Sequence, residues 1–232
     1  MDKKPLTEEL VNDIVLWDIN SWSKAVYFWE NKIDFSNKQK GLELGSKRGG
    51  LSLYLALKGI NTICSDYIDC ELTAKPLHDK HNVNTFISYE VINALDIPYE
   101  NHFDVIAFKS ILGGIGRNDN LDNIRTTISQ IYKALKPGGV LIFAENLAAS
   151  PIHMFLRKRF TNWSDYWRYV TPNELSQLLG DFSKFELKTT GVIAVFGTNE
   201  KLRNYLSYMD DLILNRITND KYKYISYGYA IK

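Results

Sequence analysis

The stretch Leu42-Glu43-Leu44-Gly45-Ser46-Lys47-Arg48-Gly49-Gly50-Leu51-Ser52 decides the fold. Gly41-Leu42-Glu43-Leu44 reads as a short apolar strand, and Leu51–Leu57 as a helix stopped by Lys58-Gly59. The glycines between them make a turn in which no Cβ separates the backbone from a ligand. Strand, glycine-rich turn and helix in that order open a doubly wound α/β sheet, whose ligands sit outside the carboxyl ends of the strands. The helix start behind the turn adds partial positive charge for an anionic group.

Outward from this unit the alternation continues. Asn61–Ser65, Thr85–Ile92, Phe103–Phe108 and Val140–Ala144 read as strands, with helices over Glu71–Lys80 and Leu121–Leu135. The latter stops at Lys136-Pro137-Gly138-Gly139, where Pro and Gly forbid continuation. Two apolar-periodic segments, Leu10–Trp17 and Trp22–Trp29, precede the sheet as helices. Glu186–Phe196 and Tyr222–Ile231 read as long strands separated by a helix near Leu202–Ile217. Such alternation predicts a mostly parallel sheet with right-handed crossovers. We expect one domain over 1–232: a helical cap at 1–38, a ligand-binding core at 39–146, and acceptor-side helices with the last two strands at 147–232.

Composition narrows the function classes. With 28 Lys and Arg against 27 Asp and Glu, no global basic field points to nucleic acid. The opening Met1-Asp2-Lys3-Lys4-Pro5 lacks the apolar region of a signal peptide, and no apolar run approaches a membrane span. The cytoplasm is the expected location. Cys64 and Cys70 stand at a strand end and a helix start; a disulfide there is a minor expectation, and no Cys/His spacing resembles a metal site.

The ligand of the glycine turn is not fixed by its glycines alone. A dinucleotide fold uses G-x-G-x-x-G, and in that register the chain has Gly45, Lys47 and Gly50, so the middle glycine is missing. The second strand ends at Ser65-Asp66, where a carboxylate can accept from two ribose hydroxyls or else serve as a helix cap.

The turn resembles motif I of the class I S-adenosylmethionine (SAM)-dependent methyltransferases, with Lys47 where that family usually has its second glycine. Asn93-Ala94-Leu95-Asp96-Ile97-Pro98-Tyr99 followed by Phe103-Asp104-Val105-Ile106, and Lys136-Pro137-Gly138-Gly139, resemble further segments of the family in the same order. The resemblance implies a seven-stranded sheet of order 3-2-1-4-5-7-6 with the last strand antiparallel. It implies SAM as cofactor, with Glu43 toward its ammonium and Gly45, Ser46 and Gly49 beneath it. Asp66 would meet the ribose; Tyr67, Asn93, Ala94 and Leu95 would surround the adenine; and Lys109 would lie beside the methyl group. A nicotinamide dehydrogenase and a non-catalytic SAM-binding module are the competing readings.

Methyl transfer to a hydroxyl needs alignment and a base; an amine needs less. After the fifth strand, His153 and Glu145 are the candidate bases. Their alternatives are a helix-start histidine and a carboxylate that stabilises the following turn. His78, His81 and His102 read as solvated. Lys109 either neutralises an acidic substrate or extends to solvent. Residues 155–169 mix bases and aromatics, which suits a lid over the acceptor, a helix packed on the sheet, or, least, an RNA contact. A looser resemblance, through Trp167–Leu175 and Tyr227–Ala230, is to a bacterial small-molecule branch of the class associated with glycans. It ranks a sugar or glycan hydroxyl first as acceptor and a natural-product or small-amine acceptor second. The expected partner is thus a small molecule, with no nucleic acid and no membrane span, and the chain is expected as a monomer or homodimer.

Overall fold

The computed structural model describes residues 6–160 and 166–232. Seven strands form one sheet: β1 (Lys40–Leu44), β2 (Asn61–Asp66), β3 (Ile87–Val91), β4 (Phe103–Lys109), β5 (Leu135–Asn146), β6 (Lys184–Thr190) and β7 (Ile225–Ile231). Their order is β3-β2-β1-β4-β5-β7-β6. β1 through β5 pair in parallel, and β7 runs antiparallel to both of its neighbours. This is the expected order, with the expected reversed strand.

Helices cover both faces: α1 (Glu8–Val15), α2 (Ile19–Lys32), α3 (Gly50–Ala56), α4 (Glu71–Lys80), α5 (Leu112–Ile115), α6 (Leu121–Ala134), α7 (Pro151–Phe160), α8 (Pro172–Leu178) and α9 (Glu200–Met209). Alternation along β4 divides the core. Val105 and Ala107 pack with Ile14, Trp22, Trp29 and Leu53 from α1, α2 and α3. Ile106 and Phe108 face the other way, onto Leu112, Ile124, Ile128 and Leu175. Strands buried on both faces need such continuous apolar runs.

Local chemistry explains the element ends. Asn120 accepts from the Asn123 N–H and starts α6, whose Ile124, Ile128 and Ile131 fall on one buried stripe. Thr171 and Glu174 form a reciprocal capping box around Pro172, which starts α8.

The sequence reading overextends several strands. Residues 84–86 form a single 3₁₀ turn before β3. β6 ends at Thr190 rather than Phe196, because Gly191 turns the chain at φ +82° and the buried Asp210 carboxylate accepts from the N–H groups of Val192, Ile193 and Ala194. Those donors are thereby lost to any sheet ladder. The same Asp210 opens a wider π turn, Asp210–Leu214, which carries α9 on to Asn215–Ile217. β7 begins at Ile225, after a 3₁₀ turn at Asp220–Tyr222. β5 is longer than expected, starting at Leu135, which pairs with Phe103 across a register shift.

Candidate active site

The turn between β1 and α3 lies at the carboxyl edge of the sheet, where β1 stands between β2 and β4. Three of its residues are left-handed: Gly45 at φ +65°, Lys47 at +51° and Gly49 at +73°. A Cβ on Gly45 would stand 2.4 Å from Ile111 Cγ2, and one on Gly49 2.4 Å from His78 Nε2. Both glycines are therefore required by backbone conformation and by space. Lys47 shows how the turn works without the family's second glycine. Its N–H donates to Asp66 Oδ2 at 3.0 Å and its carbonyl accepts from Thr73 Oγ1 at 2.7 Å, which hold a non-glycine residue in a strained region.

Glu43 has a structural occupation. Its Oε1 accepts from the Leu51 N–H at 3.1 Å, and its Oε2 from the Ser52 N–H at 2.7 Å and hydroxyl at 2.6 Å. The carboxylate thus caps the start of α3, satisfying donors that a helix leaves open. Burial pushes its carboxyl up to about 7, against the lowering effect of those donors.

Asp66 ends β2, partly exposed, with Oδ2 on Lys47 and Oδ1 accepting from the Tyr67 N–H at 2.8 Å. Each oxygen keeps acceptor capacity for a further donor. Tyr67 beside it is 74% exposed. Asn93 lies exposed past β3, with Oδ1 accepting from the Leu95 N–H at 3.0 Å, and Ala94 and Leu95 are half-buried. Ser46 is buried, its N–H donating to the Ser65 carbonyl at 2.9 Å and its hydroxyl oxygen without a partner. Glu43, Gly45, Ser46, Gly49, Asp66 and Tyr67 are thus gathered at one edge, with the Asn93–Leu95 segment following the next strand.

Lys109 is half-buried and its amine is engaged. Its Nζ donates to the Val15 carbonyl at 2.9 Å and lies 4.7 Å from the Trp22 ring centroid and 5.9 Å from that of Trp17. Burial pushes the amine down to about 8, while Glu43, Asp18 and Glu145 pull it back up. The cap thus closes over the end of β4 through a cation–π contact. At its hinge, Leu16 (φ 77°) and Asp18 (φ 46°) are left-handed. Asp18 is buried, accepts from the Tyr224 hydroxyl at 2.6 Å, and is pushed up to about 6 by burial.

The two candidate bases are occupied by the protein. His153 Nε2 is 2.7 Å from the Val192 carbonyl, which only accepts, so Nε2 carries the hydrogen. Nδ1 then accepts from the Ser150 hydroxyl at 2.7 Å, and the ring stacks on Phe196 and Tyr224. Burial lowers its pKa, keeping it neutral. Glu145 is fully buried; Oε2 accepts from the Ile111 and Leu112 N–H groups at 2.9 and 2.8 Å, and Oε1 from the Asn146 N–H at 2.8 Å. It holds the turn after β4, on which Ile111 lies against Gly45. Burial pushes it up to about 7.

One expectation is overturned outright. His78, read as solvated, is fully buried: Nε2–H donates to the Gly49 carbonyl at 2.9 Å and Nδ1 accepts from the Tyr89 hydroxyl at 2.7 Å. Its place on the apolar stripe of α4 with Ala74 and Leu77 was the available signal. His81 pairs with Asp13 at 2.7 Å, and His102 lies against Tyr99. Cys64 and Cys70 are free thiols with Sγ atoms 3.9 Å apart. Of the 155–169 stretch, Arg157 stacks on Tyr169 at 4.1 Å and Arg168 pairs with Asp119 and Glu174; Thr161–Asp165 lie outside the described residues. No helix among the described residues is long and apolar enough to cross a membrane.

Comparison with known proteins agrees with this fold. Residues 42–143 match the family described as a methyltransferase domain. A demethylmenaquinone methyltransferase of Symbiobacterium thermophilum is 36% identical over 87 residues, 37% of this chain and 30% of that protein. The match thus spans about a third of that relative's length. Among solved structures, phosphoethanolamine N-methyltransferase 2 of Haemonchus contortus in complex with S-adenosyl-L-methionine superposes with a TM-score of 0.62 at 16% identity, covering 97% of this chain and 56% of that one. The N-methyltransferase NodS of Bradyrhizobium japonicum WM9 gives 0.58 at 13% identity, covering 91% and 95%. At such identities the structural likeness speaks for the fold. The chain has the class I SAM-methyltransferase fold, and its residues 42–143 match the methyltransferase-domain family.

Proposed function

We propose that this chain binds SAM at the β1–α3 turn and transfers its methyl group to a small-molecule acceptor. The observation that carries the reading is the left-handed Gly45-to-Gly49 turn tied through Lys47 to Asp66, at the sheet's switch point. The residues fit the cofactor. Two glycines whose Cβ atoms would collide leave bare backbone, the orphaned Ser46 hydroxyl oxygen lies in the turn, and Asp66 keeps acceptor capacity for ribose hydroxyls. Tyr67, Asn93, Ala94 and Leu95 would border the adenine. Lys109, at the end of β4, would lie beside the methyl group, and Glu43, by capping α3, would set the turn's shape. When bound, SAM supplies an electrophilic methyl on a sulfonium, an already activated leaving group. The chain's own share is to align the acceptor and exclude water. Residues 1–38 act as the cap, 39–146 as the cofactor half and 147–232 as the acceptor half.

For the acceptor, a sugar or glycan hydroxyl follows from the looser family resemblance. A hydroxyl needs a base, however; both ring nitrogens of His153 are engaged by the protein, and Glu145 is fully buried on the N–H groups of Ile111, Leu112 and Asn146. That observation favours the second reading, a small amine acceptor, which needs only its lone pair presented in line. Calorimetric titration with SAM tests the first proposal, with micromolar binding expected and none contradicting it. A labelled-methyl transfer screen against sugar nucleotides, glycans and amines ranks the acceptors.

A further inference from the structure

Helix α7 begins at Pro151, just past the carboxyl end of β5, and so lies at the rim where acceptors enter. One side pins it: His153 to Ser150, Val192 and Phe196, and Arg157 to the Leu147 carbonyl at 2.7 Å and to the Tyr169 ring. Away from these contacts the helix carries large apolar groups into solvent, with Ile152 65% and Phe155 68% exposed. At 100° per residue Ile152 and Phe155 fall on one face together with Arg159. Lys158 and Arg159 are exposed beside them, and Pro151–Phe160 contains no acid.

We infer that the exposed face of α7 seats the protein on an anionic lipid surface, so that the acceptor reaches the site from a membrane. A short basic helix exposing aromatic and aliphatic side chains has the chemistry of interfacial helices, which bury rings at the headgroup level while their bases meet lipid phosphates. A second copy of the chain suits the face less well. A twofold contact would set Lys158 and Arg159 against the same bases of the partner, with no acid on the helix to answer them. An anionic plane satisfies both bases at once. The part concerning the acceptor rests on the methyltransferase reading; the docking itself does not.

Flotation of the purified chain with vesicles tests this. The probes are phosphatidylcholine alone and phosphatidylcholine with about 30% phosphatidylglycerol, at low and high salt. The chain is expected to float with the anionic vesicles at least about tenfold more than with neutral ones, and to be released by salt. Ile152→Ala with Phe155→Ala, and separately Lys158→Glu with Arg159→Glu, are each expected to lower flotation about tenfold while melting temperature and SAM affinity stay unchanged. No flotation of the unaltered chain overturns the inference. So does flotation that neither pair of substitutions reduces, or a dimer by light scattering that the paired alanines dissociate. Absent SAM binding with flotation intact would sink the methyltransferase reading alone.

Discussion

The part of the chain that carries β1 through β5 and the part after Asn146 are built differently. In the first, the candidate site is written in backbone: Gly45, Lys47 and Gly49 are left-handed, and main-chain groups of the turn are held by Asp66, Thr73 and His78. In the second, it is written in side-chain contacts between distant segments, such as His153 on Val192 and Asp210 on Val192–Ala194. Backbone requirements restrict residue type at fixed spacing. Long-range contacts accept many solutions, and so leave no motif.

Substitutions can break this contrast. Gly45→Val should have the largest effect, because a branched side chain at φ +65° would drive into Ile111. SAM affinity should fall by about a hundredfold or more, roughly 3 kcal/mol; calorimetry showing wild-type affinity would move the cofactor elsewhere. His78→Leu removes two hydrogen bonds, leaving the Tyr89 hydroxyl without its acceptor and the Gly49 carbonyl with the Leu53 N–H alone. Unfolding by denaturant should show a loss of about 2–3 kcal/mol, with weaker SAM binding alongside.

His153→Ala separates a structural from a catalytic histidine. With both nitrogens engaged, the loss should be about 1–3 kcal/mol of stability, with turnover with amines close to wild type. A hundredfold drop in turnover at unchanged melting temperature would make it the base after all. Asp66→Ala should weaken SAM by about 1–3 kcal/mol, as the ribose contacts and the Lys47 tether go together; unchanged affinity would place the ribose away from β2.

The smallest effect is on pH dependence. Glu43 and Glu145 titrate near 7 in the folded chain against 4.5 for a free carboxyl, so the folded state binds the extra protons. Their stabilising contribution is complete below the unfolded value and is lost as pH rises through about 7. Glu145→Gln should make the fall in stability between those limits shallower, measured by denaturant melts across that range. An unchanged slope would mean that Glu145 is ionised throughout.

The sheet was legible in the sequence because strand alternation and the Gly45–Gly50 turn are local signals. Strand order and the reversed β7 came through the family resemblance. What stayed hidden has physical causes. His78 looked solvated because its partners, Gly49 and Tyr89, lie on other elements, although its place beside Ala74 and Leu77 marked the buried stripe. β6 looked longer because apolar Val192–Phe196 reads as strand until Asp210 is known to take its N–H groups. Lys109 gave no hint that Trp22 and Trp17 from the cap would close over it.

The central claim is that the β1–α3 turn selects SAM over a dinucleotide, although Lys47 replaces a glycine. Competition calorimetry of the unaltered chain with SAM and NAD tests it most directly. SAM should bind at least about tenfold tighter, roughly 1.4 kcal/mol, than NAD. Equal or tighter NAD binding would contradict it.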